Sequence, residues 1–398
     1  MPRTPGGFIG GFNPLEETPV EYSGVWNLKD QVQAIAAGRW TGLPTFELYA
    51  WGLNSSGELG DSTVVNKSSP IQVGALTTWQ SISAGQYFSI ALEDTGKIYT
   101  WGSNTFGRLG QNDTVNRSSP VQVGASTDWH AISAGDNGCL AIKTNGTMWG
   151  WGYNGNGQIG DGTKITKSSP VQIGALTTWS KISVGNSHNM AIKTDGTLWA
   201  SGSNSLGQLG DGTVIARSSP VQVGALTTWA IVEASNGSTI ATKTDGTLWA
   251  WGLNNLGQLG QNNTIGRSSP VQVGALTTWE KISSHNRTCG AIKADGTIWS
   301  WGYNGNGEIG DGTIADKSSP VQIGALTTWS NLSFGQNHSS ATKTDGTLWA
   351  WGFNSSGRLG DGTTVNKSSP VQIGALTSWD DVAAGRTHTL AILQGSSN

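Results

Sequence analysis

The sequence predicts an all-β fold: a seven-bladed propeller of four-stranded blades, closed by pairing its first and last strands. Three observations carry that expectation: an unbroken 50-residue repeat, four strand signals within each unit, and first and last units that are each cut short. Trp-Gly recurs at Trp51, Trp101, Trp151, Trp251, Trp301 and Trp351, with Ser201-Gly202 in the remaining place. A second Trp recurs in all seven units, from Trp79 to Trp379. Self-similarity at a fixed period is the signature of a repeat architecture. Of the 20 Trp, 18 fall on repeat positions, which makes them parts of a scaffold rather than isolated functional aromatics.

Each element follows from local chemistry. In the third unit the strand signals are WSKISVG from Trp179, HNMAIKT from His188, TLWASG from Thr197 and PVQVG from Pro220. Short runs of Val, Ile, Leu and Trp bounded by Gly, Asp-Gly and Pro read as strands. Asp195-Gly196 is a tight hairpin turn, since Gly takes positive φ without steric cost. The stretch from Ser203 to Ser219 is too long for a hairpin. Its recurring Asn-x-x-Gly-x-Leu/Ile-Gly predicts an ordered loop anchored by Leu209 and its counterparts. No helical periodicity appears in residues 45–395.

Closure follows from the ends. The first unit is entered late, at residues 46–52, and the last stops early, at residues 388–394, so each end supplies the strand the other lacks. Residues 46–53 are therefore expected to pair with the strand around residues 389–393, leaving no open edge in the ring. A β-solenoid also repeats, but its coils are usually shorter and its open ends need caps.

Composition narrows the function classes. The chain has 398 residues, 58 of them Gly, with 23 basic and 26 acidic side chains and a net charge of −3. That balance gives no electrostatic case for nucleic acid or an anionic membrane. Abundant Trp opposes disorder. Two Cys cannot form a disulfide framework, and no apolar run approaches a membrane span or a secretory signal at the start. Cys139 and Cys289 share one repeat position three blades apart and are expected as free, buried thiols.

With those motifs in view, residues 45–395 resemble the regulator-of-chromosome-condensation repeat family. VAAGRTHTLAI from Val382 carries its Gly-x-x-His signature, and WGYNGNGQIGDGT from Trp151 its Trp-Gly-x-Asn-x-x-Gly-x-Leu-Gly segment. The resemblance implies a seven-bladed propeller. It implies no one activity, because one fold hosts many functions.

Residues 1–44 lie outside the repeat and read as an N-terminal extension, with 45–398 as the propeller. Residues 27–37 are the one expected helix, with Asn27 as N-cap and Gly38 after its end. The pattern GGFIGGFNP followed by SGVWNLKDQVQAIAAGRW resembles N-termini of marine bacteriophage structural proteins.

The search for chemistry finds no catalytic set, no cofactor motif and no metal site. His188, His338 and His388 share one repeat position and are expected to be structural. Asp61, Asp161, Asp211, Asp311 and Asp361 read as Asx turns rather than calcium ligands. The basic residue before each Ser-Ser-Pro is expected to be solvated or locally paired.

Variation is concentrated in the first and third connections of each unit, which the strand alternation puts on one face. The candidate binding residues there are Leu53, Tyr87, Phe88, Phe106, Tyr153, Leu206, Leu256, Arg287, Tyr303, Phe353 and Arg386. The leading expectation is a non-enzymatic virion protein. Residues 1–44 would attach it to other virion proteins, and one propeller face would meet a host-surface receptor. The alternative is a cellular, cytoplasmic interaction module or a small-GTPase nucleotide-exchange factor. Neither reading calls for nucleic acid or membrane insertion. A lectin-like or hydrolytic propeller finds no residue set in the sequence.

Overall fold

The computed structural model describes residues 44–395. The 28 strands form seven four-stranded antiparallel sheets, one per blade. Blade I is typical: Trp79–Ala84, Phe88–Glu93, Ile98–Gly102 and Arg117–Gln122, hydrogen-bonded in chain order. The first strands of neighbouring blades touch all the way round, including Trp379–Ala384 against Trp79–Ala84, so they line the centre of a closed ring. Blade VII joins both ends of the propeller. Thr45–Gly52 pairs with His388–Gly395 from Thr45 opposite Gly395 to Gly52 opposite His388, as the complementary truncation predicts. One short 3-10 turn, Thr105–Gly107, departs from the all-β expectation. The expected helix at residues 27–37 lies outside the described residues. Among the described residues, no helix is long and apolar enough to cross a membrane.

The repeated motifs are explained by contacts between blades. Each Trp-Gly indole donates its Nε1–H to a carbonyl in the long loop of the preceding blade. Trp101 reaches the Glu58 carbonyl at 2.8 Å, and Trp51 reaches that of Arg358 at 2.9 Å across the closure. In blade III the Ser201 hydroxyl makes the same bond to Gln158 at 2.9 Å. The same carbonyl takes a second donor from the second strand of the next blade: Ser89, Cys139, Asn189, Thr239, Cys289, Ser339 or Thr389. The two cysteines are therefore free, buried members of a hydroxyl-like position. Burying an indole contributes roughly 4–6 kcal/mol of transfer free energy. The hydrogen bond adds direction, because a buried carbonyl left unpaired costs about 1–3 kcal/mol.

The long loop is built on Asn54 and its counterparts. Asn54 Oδ1 accepts from the Leu59 amide at 2.9 Å, while its Nδ2 donates to Asp61 at 2.9 Å and to the Thr63 carbonyl at 3.1 Å. Asp61 Oδ1 in turn accepts from the Thr63 amide at 3.0 Å, which is the expected Asx turn. The loop then reaches the Ser-Ser-Pro strand next door, where the Ser62 amide donates to the Ser118 carbonyl at 2.8 Å. Gly57 must be Gly: a Cβ there would sit 2.5 Å from the Cα of Ser118. At the centre, Ser83, Ser133, Ser183, Ser283 and Ser333 accept from a backbone amide of the following blade at 2.9–3.0 Å. Glu233 and Ala383 take that repeat position in the other two blades.

Candidate functional site

The two faces of the ring are chemically unlike. One carries the Asp-Gly turns and the GALTT connections. In blade III, Asp195 Oδ1 accepts from the Thr197 amide and hydroxyl, and Thr197 Oγ1 accepts from Trp199 Nε1 at 2.9 Å. Lys193 lies 3.7 Å above the Trp199 ring, and Lys243, Lys293 and Lys343 repeat the stack at 3.5–3.6 Å. Blades III to VI repeat this one solution; blade II carries Asn145 in place of the Asp, and blade I has Glu93, Thr95, Lys97 and Tyr99 at the four positions.

The other face collects the first and third connections. A backbone bond ties them together in every blade, from Ser103 N to Tyr87 O at 2.8 Å through Leu53 N to Thr387 O at 3.0 Å. On this fixed support the side chains differ. Phe106 is 43% exposed and lies 5.0 Å from the Tyr153 ring, with Phe106 itself at φ 66°. Leu206 is 44% exposed. Leu53, Tyr87, Tyr153, Leu256, Arg287, Tyr303, Phe353 and Arg386 are half-buried. Arg386 lies over Tyr87 at 5.5 Å, and Arg358 lies over Phe353 at 4.7 Å. Burial pushes the Arg358 guanidinium down to about 10, with Arg386 adding to the effect.

Phe88 is a correction to the expected contact set. It is fully buried at the start of its strand, in the repeat position of His188, His338 and His388. Strand alternation turns that position into the blade, so no partner reaches it. The histidine counterparts supplied the clue. His188 Nε2 meets Thr239 Oγ1 at 2.9 Å, His338 meets Thr389 at 2.8 Å, and His388 meets Ser89 at 2.8 Å. Each hydroxyl gives its proton to the loop carbonyl, so each imidazole donates from Nε2. Burial pushes His188 and His388 down to about 3. These are structural histidines.

The basic residue before Ser-Ser-Pro is locally paired in six of the seven blades, among them Lys167 with Asp161 at 3.2 Å, Arg217 with Asp211 at 2.9 Å and Lys317 with Asp311 at 3.0 Å, while Arg267 has Gln261 at the acidic position. Among the described residues, no group of three or more His, Cys, Asp or Glu is placed to hold a metal ion.

One feature of this face was not legible in the chain. At the ring centre the first connections converge on a polar cavity of about 230 Å³. Asp136, Asn186, Asn236, Asn286, Gln336 and Arg386 line it, all from one repeat position in six successive blades. His285 enters from blade V and brings its Nε2 to 3.6 Å from Asp136 Oδ1, a carboxylate three blades away.

Comparison with known proteins places the chain. The RCC1-like domain model matches residues 7–284, and the regulator of chromosome condensation (RCC1) repeat model matches residues 295–342 and 345–392. No curated protein matches. Among solved structures, human WBSCR16 is 20% identical over 88% of this chain and 99% of its own, with a TM-score of 0.78. Prp20p from Saccharomyces cerevisiae, described with its binding properties to Gsp1p and histones, is 19% identical over 89% of this chain and 93% of its own, also at 0.78. Yeast RCC1 (Prp20) in its complex with Kap60 is 18% identical and covers 96% of each chain, again at 0.78. At these identities the structures attest the fold, while the family models cover most of the sequence. The chain belongs to the RCC1-like domain family.

Proposed function

We propose that this propeller is a non-catalytic binding module that presents its variable face to a protein partner. The observation that carries the reading is the contrast between faces: the GALTT face exposes the same Leu in six units, Leu76 to Leu376, whereas the other varies its side chains on an equally well-held backbone, Phe106 and Leu206 among them. Aromatic, Leu and Arg side chains held on a rigid support bury contact area at low entropic cost. Leu53, Tyr87, Tyr153, Leu256, Arg287, Tyr303, Phe353 and Arg386 extend the same surface. Family membership supports the reading, since Prp20p is described with Gsp1p and histones and in complex with Kap60.

Nucleotide exchange on a small GTPase is the second reading, favoured by the fold shared with Prp20p. Against it stands the constant 50-residue period, which leaves no inserted segment to wedge into a nucleotide site. Display on a virion, with residues 1–44 as the attachment, is a narrower form of the binding reading. It draws on the N-terminal sequence alone, and neither the fold nor the relatives add support.

Proximity labelling in the source cell tests the main reading, comparing the native chain with a Phe106→Ala, Tyr153→Ala, Leu206→Ala variant. A partner retained by the native chain and lost by the variant is the expected result. Equal labelling would contradict it. A nucleotide-release assay on a small GTPase separates the second reading, and mass spectrometry of purified particles separates the third.

A further inference from the structure

The ring centre departs from the repeat in a way the fold does not require. The last residue before each first turn is Gly85, Gly135, Gly185, Gly335 or Gly385 in five blades. It is tightly confined: a Cβ on Gly185 would lie 2.6 Å from the Ser235 carbonyl. Blades IV and V place Ser235 and His285 there instead. In blade V the first strand is lengthened by one residue, to Trp279–His285, and Asn286 takes φ 53°. That left-handed conformation suits Asn better than most residues, but it is still uncommon outside Gly. The turn has been rebuilt, and the result is an imidazole aimed into the cavity.

The polar groups around the cavity are partly spoken for. Asn186 Nδ2 donates to Asp136 Oδ2 at 2.7 Å, and Asn236 Nδ2 donates to Asn286 Oδ1 at 3.1 Å. Asn286 Nδ2 donates to the Gln336 carbonyl at 3.2 Å. The remaining capacity faces the cavity. The His285 ring forms part of the wall, with Nε2 turned to Asp136 and Nδ1 unpartnered like that of His188, His338 and His388. The Gln336 side-chain amide and the Arg386 guanidinium line the space, and Arg386 is otherwise engaged only in its stack on Tyr87. The rebuilt turn thus brings an imidazole to the wall of a polar cavity, at a position where five blades carry Gly.

We propose that this central cavity binds a small, neutral, hydroxyl-rich molecule of the monosaccharide or cyclic polyol class. Charge selects neutral ligands. Asp136 and Arg386 oppose one another, and burial holds His285 below the ordinary imidazole range, so the lining carries no net charge near neutrality. Lining chemistry selects polar ligands. Apart from Val184, Gly185 and Ala234 the wall is amide, hydroxyl, imidazole, carboxylate and guanidinium, with no Phe, Tyr or Trp ring. Asn186 and Asn286 are engaged at both ends of their amides, but the Gln336 side-chain amide lines the cavity with a donor and an acceptor side by side, which is the pairing a vicinal diol presents. The volume exceeds what a few waters fill, since each takes about 30 Å³, and it suits one small ring. The site adjoins the aromatic surface proposed for the protein partner, and Arg386 belongs to both, lining the cavity and stacking on Tyr87.

Saturation-transfer NMR and isothermal calorimetry on the full chain test this. The probes are D-glucose, D-galactose, D-mannose, N-acetyl-D-glucosamine and myo-inositol, with glycine and inorganic phosphate as charged controls. Saturable binding of at least one neutral probe is expected. Asn236→Ala and His285→Gly, the latter restoring the residue of the other blades, should each weaken it by about tenfold, the loss of one or two hydrogen bonds. Both variants should keep the native circular dichroism and melting profile. Failure of every neutral probe to saturate would overturn the proposal. So would binding confined to glycine or phosphate, or binding that survives both substitutions unchanged.

Discussion

The two faces of the propeller are made from the same strands, yet the sequence treats them differently. On the Asp-Gly face, Asp195, Thr197, Trp199 and Lys193 form one interlocked unit that returns with little change in blades IV, V and VI. On the opposite face, the buried frame is just as constant: Asn54, Gly57 and Leu59 return in every blade, or with Ile for Leu. Only what stands on that frame changes. Repetition therefore follows geometric necessity. A residue that reaches the neighbouring blade must match a neighbour that is itself a repeat, and a side chain that faces solvent or the central axis has no such constraint.

Breaking the shared frame should have the largest effect. Deleting residues 45–52 removes the strand that pairs with His388–Gly395 and opens the ring. Calorimetry should then show loss of the single cooperative transition, and a native-like melt would refute closure by this pair. Next comes the inter-blade joint. Trp301 is fully buried and donates to the Gln258 carbonyl at 3.0 Å. Trp301→Ala should cost about 3–5 kcal/mol in denaturant unfolding. Trp301→Phe should cost less, about 1 kcal/mol, and isolate the indole hydrogen bond, because the Gln258 carbonyl keeps the Cys289 thiol as its second donor.

The central channel supplies a pH-dependent contrast. Glu233 stands where five blades have Ser, and burial raises its carboxyl to about 7, with the Ser183 hydroxyl opposing the shift. A folded-state value above the unfolded one means that its contribution is fully present below about pH 4.5 and is lost as pH rises through 7. Glu233→Gln should therefore raise the melting temperature at pH 8 and leave it nearly unchanged at pH 4. The buried histidines act in the opposite sense. Their folded values near 3 lie below the unfolded value near 6.5, so stability falls as pH drops from about 6.5 towards 3. Equal melting temperatures for the native chain and Glu233→Gln at pH 8 would show that the carboxylate is well solvated.

The smallest effects compare the faces directly. Asp195→Ala removes two hydrogen bonds from the repeated turn and should lower the melting temperature measurably. Leu206→Ala on the variable face should stay within about 0.5 kcal/mol, because its side chain is largely in water. A larger cost for Leu206 than for Asp195 would reverse their assignment as surface and scaffold.

Much of this was legible in the chain because the repeat writes each inter-blade contact seven times. The period, the strand boundaries, the closing pair, the Asx turns and the free cysteines all follow from motifs whose partners lie at fixed offsets. The central cavity was not legible in the same way. Asp136 and His285 are 149 positions apart and meet only because the ring brings opposite blades to one axis. Their turns read as mere variation in the first connections. Phe88 was misplaced for the converse reason. Its sequence neighbours belong to a variable turn, while its repeat position is that of the buried histidines.

The central claim is that the variable face is the working surface, and affinity for one partner measured on matched face variants tests it most directly. The partner is the protein captured by the native chain, titrated by surface plasmon resonance. Phe106→Ala with Tyr153→Ala and Leu206→Ala should raise the dissociation constant by roughly 30-fold or more, since such anchors carry about 2 kcal/mol or more. Thr177→Ala with Thr327→Ala, exposed on the Asp-Gly face, should change it by less than about threefold. A large loss from the threonine variant, with none from the aromatic one, would show that the repeated face does the binding.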